Sequence, residues 1–124
     1  MLKKTILIDG KEVEFKASAS IPRLYRIKFR RDIMQDMVKL QKAYIKSETE
    51  GKEFEIIDLE IFENVAYIMA KHANTEVASD IYDWLDEFNT FSIYEVLPEI
   101  LQMWALNEES QIESKKKLNQ VAGK

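Results

Sequence analysis

The chain has no cysteine, one histidine, three glycines and two prolines among 124 residues. Without thiols there is no disulfide framework, no thiolate metal site and no cysteine nucleophile. The one imidazole, His72, could join Glu76 four residues on in at most a two-ligand helical pair, whereas zinc needs three or four nitrogen or sulfur ligands. No metal and no cofactor is therefore expected, and His72 reads as structural. Long apolar runs are also missing. Ile6 to Ile8 and Val65 to Ala70 fall far short of the ~20 residues of a membrane-spanning helix. After Lys3 and Lys4 only four uncharged residues precede Asp9, too few for the ~7 to 15 residue apolar core of a signal peptide. A cytoplasmic protein that does not enter a membrane is expected.

What is present is 46% apolar content with few helix breakers, which argues for one folded, helix-rich domain. We place it at residues 1–107 and read the polar segment 108–124 as a flexible tail. The net charge of −4 hides a segregation. Residues 1–46 carry twelve Lys and Arg against five acids, residues 47–113 carry two against seventeen, and the last eleven residues add four lysines, so +7, −15 and +4 give −4. Arg23, Arg26, Lys28, Arg30 and Arg31 invite a nucleic-acid reading, but the acidic remainder would also approach the phosphates. Packing of the basic segment beside acidic helices, of the same chain or of a second copy, is the favoured alternative. Arg23, Arg26, Arg30 and Arg31 are accordingly the self-association candidates.

The expected fold class is α+β and predominantly α-helical, an N-terminal β-hairpin followed by four to five helices. Asp9-Gly10 between Thr5-Ile-Leu-Ile8 and Lys11-Glu-Val-Glu-Phe-Lys16 predicts a type I′ turn that sets Ile8 opposite Lys11 and Ile6 opposite Val13. Ser20 before Ile21-Pro22 predicts an N-cap with proline in the first turn, and a helix to about Phe29. Asp32 can cap a second segment carrying Ile33, Met34, Met37, Leu40 and Tyr44, though one continuous helix fits as well, so the boundary near Arg30 stays open. Ser47 to Lys52 reads as a polar loop and Asp58 as the cap of a helix with Ile61, Phe62, Val65, Ile68, Met69 and His72 on one side. Ser79 or Asp80 starts a short helix bearing Ile81, Trp84, Leu85 and Phe88. Ser92-Ile-Tyr-Glu95 matches a capping box, and Pro98 inside the following pattern either kinks that helix or marks its first turn.

No nucleophile is paired with a base, and the twenty-two acids single out no catalytic couple. Asp80, Asp83, Asp86 and Glu87 lack the spacing and central glycine of a calcium loop and read as a solvated helix face. An enzyme is not expected. Ser79 to Leu106 instead concentrates both tryptophans and several other rings. Trp84, Phe88, Phe91, Tyr94 and Trp104 are candidates for binding another polypeptide, with core packing the favoured alternative for the larger rings. Met34, Met37, Met69 and Met103 read as adaptable packing.

The succession Ile8-Asp-Gly-Lys-Glu12, Pro22-Arg-Leu-Tyr-Arg26, Phe29-Arg-Arg-Asp-Ile33, Ala66-Tyr-Ile-Met-Ala-Lys71, Trp84-Leu-Asp-Glu-Phe88, Ile93-Tyr-Glu-Val-Leu-Pro98 and Trp104 resembles the tail assembly chaperones of long-tailed phages and prophages of Gram-positive bacteria. Many relatives carry glycine where this chain has Arg30. The resemblance implies a non-enzymatic protein of the host cytoplasm that binds the tape measure protein, helps recruit tail tube protein and leaves before the tail is complete. It further implies a longer, frameshifted form of the same protein, for which the adenine-rich codons of Lys115-Lys-Lys117 suit a slippery run, while the +7 and −15 segments on their own permit head-to-tail assembly into a homo-oligomer. Two other classes stay open, a small nucleic-acid-associated regulator using Arg23 to Arg31 and a virion head–tail connector.

Overall fold

A computed structural model describes residues 2–89 and 91–105. The expectation for 108–124 lies outside them. Two antiparallel strands, β1 (Leu2–Ile8) and β2 (Lys11–Ala17), are followed by helices α1 (Ile21–Phe29), α2 (Ile33–Glu50), α3 (Ile56–Ala73) and α4 (Ile81–Leu85), a 3-10 turn (Ser92–Val96) and α5, residues 97–105. The fold is thus α+β, with a hairpin and five α-helices among the described residues.

Ile8 pairs with Lys11 and Ile6 with Val13, as the two-residue loop requires. Asp9 and Gly10 both have positive φ, 55° and 75°, the signature of a type I′ turn. Alternation along the strands sends Ile6, Ile8, Phe15 and Ala17 inward, and Leu7 outward. A two-stranded sheet is marginal alone, and here β2 lies along α3.

α3 is the axis of the molecule. Val65 to Ala70 are all buried, so the helix is covered on every side, by the hairpin, α1, α2 and α4. This exceeds the one-sided stripe expected from its sequence, because the surrounding elements enclose this stretch, whereas Glu60 nearer the start of the helix stays exposed and Glu63, Asn64 and Lys71 are half-buried. Tyr25, Phe29, Tyr67, Trp84 and Phe88 form a ladder of rings with successive centroids 5.2, 6.5, 5.6 and 5.2 Å apart. It connects α1 through α3 to α4.

The choices left open at Arg30 and Pro98 are decided, and several other local expectations are corrected. α1 and α2 are separate helices. Arg30 ends α1 in the left-handed region (φ 57°) and Asp32 caps α2 by accepting from the Met34 amide at 2.9 Å. Ser20 makes no side-chain cap; its own amide donates to Ser18 Oγ. Met34 is exposed, since the buried stripe of α2 runs through Ile33, Met37 and Leu40. The polar loop at Ser47–Lys52 begins only at Gly51. α2 continues to Glu50, with the Ser47 and Thr49 hydroxyls bonded back to the carbonyls of Tyr44 and Ile45, and Gly51 stops it at φ 66°. Asp58 lies inside the first turn of α3, where its carboxylate accepts from the amide of Glu55, the residue at the cap. Ser92 opens no capping box, because its hydroxyl goes to Asp9. Pro98 stands in the first turn of α5, the second of the two roles foreseen for it.

Candidate protein-binding surface

The aromatic candidates do not share one surface. Trp84 and Trp104 are each 2% exposed and belong to the core, so neither is available to a client in this conformation. Phe88 is half-buried against Trp84 and lines a shallow depression of about 350 Å³ between β2 and α4. Tyr94 is half-buried, its ring 5.8 Å from Phe62 and its hydroxyl 3.2 Å from Glu63 Oε1. Burial pushes the Glu63 carboxyl up, the Tyr94 hydroxyl pulls it partway back, and Glu60 adds to the rise. Phe91 alone stands well out, at 76% exposure.

The arginine candidates divide. Arg31 is committed within the chain, donating from Nε and a terminal nitrogen to the two oxygens of Asp36, both at 2.7 Å. The Tyr25 hydroxyl donates to the same carboxylate at 2.7 Å. Asp36 is 5% exposed, and burial alone would raise its pKa, but the Arg31 and Tyr25 hydrogen bonds outweigh burial and hold it below the ordinary value. Arg23, Arg26 and Arg30 are exposed and form no ion pair among the described residues.

The acids Asp80, Asp83, Asp86 and Glu87 are exposed. No group of three metal-ligating side chains occurs among the described residues. His72 Nε2 lies 3.0 Å from Ser18 Oγ, tying α3 to the turn before α1, and burial with help from Lys16 lowers its pKa. Among the described residues no helix is long and apolar enough to cross a membrane.

One concave apolar surface was missed by the sequence reading. An open trough of about 550 Å³ lies between α1 and the loop after α3, with Tyr67 and Ile68 of α3 lining it. Leu24 and Ile27 of α1 also line it, 36% and 68% exposed. Lys28 Nζ donates to the Ser79 carbonyl at 2.9 Å and stands 5.9 Å from the centre of the Tyr67 ring. Lys71 Nζ donates to the carbonyls of Thr75 and Val77. The Tyr67 hydroxyl donates to the Ala78 carbonyl. These bonds pin the 75–79 loop as a fixed wall. The signal in the sequence was present: in nine residues α1 carries Ile21 and Tyr25 for the core and Leu24 and Ile27 off it, more apolar surface than one face can bury.

Comparisons with protein-family models, with curated proteins and with solved structures return no match, so the functional reading rests on this surface and on the chain's own residues.

Proposed function

We propose that the chain is a tail assembly chaperone of long-tailed phages and prophages of Gram-positive bacteria. It acts in the host cytoplasm and without catalysis. It shelters apolar helical surface of the tape measure protein, helps recruit tail tube protein, works as a homo-oligomer together with a frameshifted longer form, and leaves before the tail is finished. One observation carries this reading. Two segments that bear the family resemblance, Pro22 to Arg26 and Ala66 to Lys71, supply Leu24 on one side and Tyr67, Ile68 and Lys71 on the other to the same open trough. Leu24 and Ile27 leave apolar surface next to that concavity, which a partner would remove from water.

Co-expression with the tape measure protein encoded nearby tests the proposal. The client is expected in the soluble fraction with the wild-type chain and in the pellet when Ile27 is replaced by Gln. A client equally insoluble with the wild-type chain rejects the chaperone. The nucleotide sequence at Lys115-Lys-Lys117 tests the longer form, which needs a slippery run and an overlapping downstream frame.

The nucleic-acid reading draws on Arg23, Arg26 and Arg30, which no carboxylate neutralises among the described residues. The aliphatic side chains between them count against it, because a phosphate backbone gains nothing from covering Leu24 and Ile27.

A further inference from the structure

We infer that the α1–α3 trough selects an amphipathic helix whose apolar stripe is bordered by carboxylates. This rests on the reading of the trough as a client site and specifies the client's chemistry. Shape comes first. A concave apolar surface with a fixed wall takes side chains inserted from a partner, and a helix presenting aliphatic groups at i, i+3 or i+4 fills such a trough. A lipid surface is convex or flat on this scale and would leave the concavity unfilled.

Charge comes second. α1 contains no acid. Arg23 and Arg26 stand on it and Arg30 at its end, all exposed. Lys28 and Lys71 at the trough are held by backbone carbonyls, which fix the ammonium groups without neutralising them. Arg31, the other cation of the segment, is closed by Asp36. Asp80 acts on the Tyr67 hydroxyl from the loop side and offsets part of this field, so the cations at the trough itself are Lys28 and Lys71, and Arg23, Arg26 and Arg30 act on a partner from elsewhere on α1 and its end. A partner with carboxylates flanking its apolar stripe gains attraction on approach, and one with lysines there is repelled.

The test uses the whole chain and three labelled helical peptides with the same leucine stripe, flanked by Glu, Gln or Lys, read by fluorescence anisotropy. The Glu-flanked peptide is expected to bind about tenfold more tightly than the Lys-flanked one at low salt, with the gap narrowing at about 0.5 M salt. Ile27→Gln should weaken the Glu- and Gln-flanked peptides alike, by severalfold. The combined Arg23→Glu, Arg26→Glu and Arg30→Glu variant should reverse the order of Glu and Lys; all four side chains are exposed, and an unchanged circular dichroism melt confirms that each variant folds. Equal binding of the Glu- and Lys-flanked peptides overturns the inference, as does an order that survives charge reversal. Displacement of the peptide by heparin with an affinity indifferent to Ile27→Gln also overturns it, since the surface would then be a general polyanion site. If the tape measure protein is solubilised while the peptides show no charge preference, the chaperone stands and the selectivity falls. If the Glu-flanked peptide binds selectively while the client stays insoluble, the reverse holds.

Discussion

Arg30 holds a backbone conformation that disfavours every side chain with a Cβ, and its own is exposed. Its amide closes α1 onto the Arg26 carbonyl at 2.8 Å, so the left-handed turn is required by the fold. Arg30→Gly is expected to raise stability by about 1 kcal/mol in urea unfolding, and a loss would show that the arginine side chain has an unrecognised partner. Asp36 carries the opposite risk. Its removal leaves the buried Tyr25 hydroxyl without its acceptor, and Asp36→Ala should lower stability by about 2 kcal/mol. Because the folded state holds this carboxyl below its ordinary value of 3.8, its contribution is complete above that pH. It disappears as the pH falls through the lower folded value. Asp36→Asn should therefore flatten the loss of stability below about pH 4, as read by melts across the acid range. Glu63 has the other sign. Its carboxyl sits above the ordinary 4.5, so ionisation costs the folded state at neutral pH. Glu63→Gln, which keeps an acceptor for Tyr94, should be stabilising at pH 7 and neutral below about pH 4.

At the scale of elements, the two halves of α2 differ. Ile33, Asp36, Met37 and Leu40 anchor the first half, whereas no residue from 41 to 50 is fully buried. Short helices without tertiary cover are marginal in water. Amide exchange at 45–50 is therefore expected to be at least about a hundredfold faster than at 61–70 of α3, and equal protection would mean that the second half is covered in solution. The same contrast explains which elements were legible. The hairpin was readable because Asp-Gly and strict alternation are local, and its register followed without reference to anything else. Ser47 and Thr49 favour loops and so suggest an early end to α2, yet here both hydroxyls bond to carbonyls of their own helix. Ser92 resembles a cap because the motif is local, while its real acceptor, Asp9, is distant in sequence. Caps depend on which partner arrives first in space, and sequence spacing does not record that.

For the whole molecule, the charge segregation visible in the composition survives folding only in part. Arg31 with Asp36, Lys4 with Glu99 at 3.4 Å and Lys39 with Asp58 at 3.3 Å spend some of the basic segment within the chain, and the exposed cations of α1 remain. The trough between α1 and α3 was the least legible feature. Its aliphatic side chains come from two helices far apart in sequence, and although the surplus apolar surface of α1 is visible in the chain, the partner face on α3 that makes it a trough is not. The rings that looked like anchors were claimed by a core that needed them, Trp84 beside Tyr67 and Trp104 in α5.

The carboxylate of Asp9 accepts from the amide and side chain of Asn89 and from the Ser92 hydroxyl, clasping the hairpin turn to the approach of α5. Ile93, Val96, Leu97, Ile100 and Trp104 then complete the interior. The last-translated part of the described chain is thus the lid of a structure whose first-translated part is its base. While the ribosome is still making residues 90–105, the part of the interior that Ile93, Val96, Leu97, Ile100 and Trp104 will cover is open to premature association. A fragment ending at residue 89 is expected to show no cooperative melt, and a sharp transition from that fragment would mean that the molecule can close before its synthesis reaches α5.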